Sequence, residues 1–78
     1  MYCISFLSTN YTLLAEKYLK ENDVETMIIP TPREITKSCG MSIKIDFGDI
    51  NRCKQILREN QVQILGVFSI ENKKAIPV

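Results

Sequence analysis

Histidine and tryptophan are absent from the 78 residues. Without histidine there is no Ser-His-Asp or Cys-His nucleophile pair and no His-ligated zinc. Cysteine is sparse: Cys3, Cys39 and Cys53 stand 36 and 14 residues apart, with no CxxC among them. These spacings match no common zinc pattern, and an odd, sparse count reads as free thiols in a reducing cytoplasm. The residues call for no bound cofactor or metal. Long hydrophobic runs are missing too. The first apolar stretch has no basic segment before it and stops at Ser8-Thr9-Asn10, so neither a signal peptide nor a membrane span is expected. Nor does charge of one sign dominate, since ten Lys and Arg oppose nine Asp and Glu for a net +1. That balance argues against nucleic-acid or membrane binding by bulk electrostatics and suits self-association, so a homodimer is expected.

What remains is a chain 45% apolar and 24% charged, the composition of one small soluble domain. At this size folding buries only about 60% of the unfolded surface. Tyr2 to Leu7 reads as a buried strand followed by helix-capping residues. From Tyr11 the spacing changes, and Tyr11, Leu14, Ala15 and Tyr18 form a helical face over residues 10–21, with Asn22 as the residue after the helix. Val24 to Ile29 reads as a second strand. Met41, Ile43 and Ile45 alternate with Ser42, Lys44 and Asp46 as a third. Asp49 can cap a helix over 50–59 whose stripe is Ile50, Cys53, Ile56 and Leu57, and Val62 to Ile70 supplies a fourth strand. The polar residues from Glu71 onward read as a loose tail.

Leu19-Lys20-Glu21-Asn22-Asp23-Val24 aligns with Leu57-Arg58-Glu59-Asn60-Gln61-Val62 at an offset of 38, nearly half the chain. Two successive βαβ halves predict an α+β fold, a ferredoxin-like βαββαβ sandwich with an antiparallel four-stranded sheet and two helices on one face. One domain is expected over 1–72, with 73–78 as a short tail.

The segment from Pro30 to Gly40 does not fit this economy. Strands two and three are hairpin neighbours in such a fold, and hairpin loops take about 2–5 residues. Eleven is a surplus, and in so small a domain a surplus loop tends to carry function. Thr31-Pro32-Arg33-Glu34 has the form of a capping box with proline at the first helical position, so one helical turn starts at Pro32. Gly40 then frees the backbone to re-enter the sheet. Cys39 stands just before it. Arg33 and Lys37, the cations of the loop, favour a thiolate, which is the form nucleophilic or carrier chemistry requires. An opposing influence is expected from both long helices, whose C-terminal ends point toward this edge in the assumed topology. The competing reading makes Cys39 a small residue in a tight turn. Cys53 reads as core packing. If strands one and three are adjacent, Cys3 approaches Cys39, which opens a resolving-cysteine or disulfide reading.

The run Ile29-Pro30-Thr31-Pro32-Arg33-Glu34-Ile35, followed by Ser38-Cys39-Gly40-Met41, resembles the signature of the selenium/sulfur (Se/S) carrier protein-like family. The resemblance extends from residue 2 to about residue 70. It implies a thiol that carries sulfur or selenium, with Cys39 as the carrier, Arg33 as its anion support, and Lys37, Ser38 and Gly40 as further support. Its partners would be sulfur or selenium donor and acceptor proteins. Lys37 within the spacer and the tail beyond the family's end are departures from the pattern. A carrier needs an exposed thiol and a nearby cation but no general base, which suits a chain without histidine. Two other readings compete: a non-catalytic interaction or ligand-sensing module, in which Arg33 and Lys37 bind a carboxylate or phosphate, and a peroxide-type thiol enzyme, for which no partner base is visible.

Overall fold

The computed structural model describes residues 1–36 and 40–78. Strand β1 (Tyr2–Ser5) leads into helix α1 (Thr9–Glu21), then strands β2 (Met27–Pro30) and β3 (Met41–Ile45). A 3-10 turn (Phe47–Asp49) enters helix α2 (Ile50–Glu59), and strands β4 (Gly66–Glu71) and β5 (Lys74–Pro77) follow. All pairings are antiparallel, in the order β2-β3-β1-β4-β5. The α+β class agrees with the sequence reading. The count of four strands does not, because residues expected to form a loose tail make a fifth. Asn72 and Lys73, with φ of 49° and 62°, form the two-residue turn of a β4–β5 hairpin. Both central residues in left-handed conformation is the requirement for a turn whose twist matches its strands. Among the described residues no helix is long and apolar enough to cross a membrane.

The register divides the sheet into two faces. Ile4 sits between Ile43 and Val67, and with Ile45 these side chains pack against Ala15 and Leu19 of α1 and Cys53, Ile56 and Leu57 of α2. Cys53 is a core residue, as its place on the apolar stripe implied. Of the expected face of α1, Ala15 is buried and Tyr11 and Tyr18 pack partly buried against the core, but Leu14 lies exposed, and Thr12 and Leu19 complete the buried line. On the face without helices, Cys3 and Ser5 alternate with the core positions and stand opposite Lys44 and Ser42.

The internal repeat has a structural meaning. Val24 N–H donates to Leu19 O at 3.0 Å and Asp23 N–H to Lys20 O at 3.1 Å; Val62 to Leu57 at 2.9 Å and Gln61 to Arg58 at 3.1 Å repeat the pattern. Both are Schellman motifs. The left-handed residues are Asp23 and Gln61, φ 59° and 58°, so Asn22 and Asn60 are the C-caps rather than the residues beyond them. Each Asn side chain donates back to the helix, to Tyr18 O and Ile56 O at 2.8 Å. Val24 and Val62 close these ends against Leu19 and Leu57, which is why β2 and β4 start later than expected. Asp49 precedes α2 without a side-chain capping bond, because the 3-10 turn already delivers the chain in helical conformation.

Candidate carrier-thiol site

The connection after β2 returns to the sheet at Met41. Ser42 pairs with Ser5, so this return lies at the end of the sheet where β1 stops and α1 begins. The contact is direct: the Thr12 hydroxyl, in the first turns of α1, lies 3.1 Å from its acceptor Ser8 O and 3.2 Å from Met41 O. The expectation that both helices turn their C-terminal ends here is therefore half wrong. The end of α2 precedes β4 on this side, but α1 presents its N-terminus, with Ser8 Oγ accepting from Tyr11 N–H at 3.3 Å and no acidic residue in the first turn. The positive end of α1 favours an anion at this edge. The reversal follows from antiparallel pairing: a helix that leaves the end of β1 must start where β3 starts.

Lys37, Ser38 and Cys39 lie outside the described residues. Arg33 is exposed on a turn in which Ile35 N–H and Thr36 N–H both donate to Pro32 O, at 3.0 and 3.3 Å. A helical turn thus begins at Pro32 as expected. Thr31 does not serve it as a capping box, because its hydroxyl pairs with Ser42 Oγ at 2.8 Å instead. Gly40 is not in a left-handed conformation, so its expected role in freeing the backbone is not the one it plays. Its carbonyl accepts from Thr31 N–H at 3.0 Å, and a Cβ there would stand 3.4 Å from Thr31 Oγ1. Glycine keeps the space beside that hydroxyl open.

The sequence reading missed a row of hydroxyls on the helix-free face. Ser5 Oγ and Ser42 Oγ lie 2.9 Å apart, and Ser42 Oγ continues to Thr31. Ser42 is 0% and Ser5 1% exposed, so water does not compete for either. Phe68 lies beside this row, its ring folded back over the Gly66 position opposite Ser5. The available signal was register: a small hydroxyl at the start of β3 and another at the end of β1, both in apolar strands.

Cys3 and Cys53 are buried free thiols. Burial pushes the Cys3 thiol up, against smaller lowering effects from the amino terminus and a Ser5 hydrogen bond. Cys3 stands opposite Lys44, four residues along β3 from Gly40, and a resolving role would require an exposed thiol. The register gives the resolving-cysteine reading no support. An open cleft of about 430 Å3 lies at the far end of the β2–β3 hairpin, between Thr26, Met27, Lys44 and Asp46, away from the Gly40 return.

Comparison with known families decides the class. The family model described as "Putative Se/S carrier protein-like" matches residues 1–69. The chain belongs to that family. The matched span contains the whole Pro30–Gly40 connection and ends within β4, so β5 falls beyond it. No curated protein and no solved structure matches the chain.

Proposed function

We propose that the protein is a single-thiol carrier of sulfur or selenium, with Cys39 as the acceptor and donor position. The observation that carries this reading is the family match across 1–69, which takes in the Cys39-Gly40 step. The positive end of α1 beside the Gly40–Met41 return supports it, since the step needs an anionic nucleophile. The Cys39 thiolate attacks the terminal sulfur of a donor persulfide. The donor's sulfur–sulfur bond breaks, the donor leaves as a thiolate, and the terminal sulfur with its proton becomes a persulfide on Cys39. No external oxidant or reductant is consumed. Release to an acceptor thiolate is the same exchange in reverse, and selenium follows the same path as a perselenide. Arg33, with Lys37 near it in sequence, supplies a cation for the adduct, which is more acidic than a thiol. The partners are donor and acceptor proteins that handle sulfur or selenium in a reducing cytoplasm. In the same reading, β1–β4 and the two helices form a ferredoxin-like unit over residues 1–72, with β5 added at its edge.

The test is exposure of the protein to a persulfide-bearing donor, followed by intact-mass and peptide mass spectrometry. Addition of one sulfur at Cys39, lost in Cys39→Ser and held for less time in Arg33→Lys, is the expected result. Wild-type protein that stays unmodified after contact with a competent donor would overturn the reading.

A further inference from the structure

The helix-free face of the sheet is too apolar for a surface left to water. An antiparallel sheet covered on one side alternates apolar residues inward with polar residues outward. Here the register sets Met27, Lys44, Cys3, Phe68 and Pro77 in one outward row across all five strands. Ile29 follows on β2, and Ile70 and Ala75 pair beside the row on β4 and β5. Lys44 is the one charged strand residue on this face, and among the described residues no carboxylate pairs with it. Met27, Ile29, Phe68 and Ile70 neither belong to the core cluster nor pack against it, and Met27 is 59% exposed. Phe68 folds down against the sheet over Gly66, where a Cβ would stand 2.9 Å from its ring, so the face stays flat.

We propose that this face docks a second copy of the chain, sheet against sheet, about a two-fold axis that runs along β1. Three observations select a second copy. The first is area. The molecule measures 31 by 25 by 17 Å, with its two layers stacked along the short dimension. Its broad side, 31 by 25 Å, comes to roughly 800 Å2, which is what one partner gives to a standard interface. The second is that the two edge strands are short and end in Pro30 and Pro77, which leaves the face rather than an edge for association. The third is self-complementarity. β1 is the central strand of five, so an axis along it lays the outward row against its own reverse. Lys44 of each copy then lies over the Phe68 ring of the other, and Met27 meets Pro77. The unpaired cation gains an aromatic face, and aligned packing of two sheets keeps their strands within about 30° of each other. Such a contact uses the same surface twice and closes at two copies. None of this depends on the carrier reading.

Sedimentation velocity of the full chain tests the proposal, in reducing buffer so that no disulfide between copies is read as a dimer. The expected mass is twice that of the chain. Met27→Lys and Ala75→Glu should each return the monomer with an unchanged circular dichroism spectrum. Because Met27 and Ala75 lie on opposite edge strands, a two-fold dimer joined edge to edge would lose its contact through one of them at most. Leu14→Glu, on the exposed side of α1, should leave the dimer intact. Lys44→Glu should raise the dissociation constant about tenfold or more, and Lys44→Arg should hold it near the wild-type value. Wild-type protein at monomer mass at high micromolar concentration overturns the proposal. So does a dimer that survives Met27→Lys or Ala75→Glu, or one that Leu14→Glu disrupts. An unchanged constant in Lys44→Glu overturns the axis along β1.

Discussion

Cys53 faces the core from α2 with no exposed surface, and its thiol is pushed up to about 11. Burial is the main cause, the Asp49 carboxylate adds to it, and Arg52 opposes both. Cys3 is raised as well. A thiol that holds its proton more tightly when folded contributes stability below the unfolded value of 9.0, and that contribution fades as pH rises toward 11. Urea midpoints should therefore fall between pH 9 and 11 in the wild type. The fall should be shallower in Cys53→Ala, and an equal slope in both proteins would refute this assignment. Ser42 makes a second test. Its loss leaves both Ser5 and Thr31 short of a partner, so Ser42→Ala should cost about 1–3 kcal/mol in urea denaturation, more than an exposed serine would.

The two helices end in the same motif, and each closes on a residue other than glycine in left-handed conformation, Asp23 and Gln61. Left-handed backbone costs an ordinary residue about 1–2 kcal/mol, and glycine returns part of that gain through its greater freedom when unfolded. Asp23→Gly and Gln61→Gly should each stabilise by about 0.5–1 kcal/mol, raising the melting temperature by a few degrees. Gln61 should gain more, because aspartate tolerates this conformation better. The ends lie far apart and the effects should add. Thermal unfolding of both single variants and the double variant checks all three statements.

For the molecule as a whole, the added hairpin decides which edges of the sheet are open. β5 covers β4, Val78 N–H donates to Val67 O at 2.9 Å, and Lys54 Nζ donates to Val78 O at 2.9 Å. Without β5, the long strand β4 would present an unpaired ladder, a template for pairing with other chains. The edges that are left, β5 itself and β2, are each four residues long and end in a proline, Pro77 and Pro30, which has no N–H to offer. Truncation after Glu71 should leave a folded chain that self-associates, seen as a rise in mass by light scattering. A truncated protein that keeps the same mass as the full chain at high micromolar concentration would show that β5 does not guard this edge.

Local pattern was enough to locate both helices, four strands, the antiparallel β2–β3 hairpin and the surplus connection with its Cys39-Gly40 step. These are periodicity and chain-punctuation signals, carried by residues close together in sequence. The fifth strand escaped because Asn72 and Lys73 read as polar tail until the chain is seen to reverse there with both residues left-handed. The orientation of α1 against the loop depends on how β3 pairs with β1, and that pairing joins residues 37 apart. So does the hydroxyl row. Ser5, Thr31 and Ser42 are unremarkable one at a time, and only the pairing of β3 with β1 and β2 brings Ser42 Oγ to 2.9 Å from Ser5 Oγ and 2.8 Å from the hydroxyl of Thr31, just beyond β2. The sequence alone specified which residue types stand at the loop. Tertiary pairing decided which helix end and which hydroxyls face it, because those contacts are set by burial of the sheet and not by any local preference.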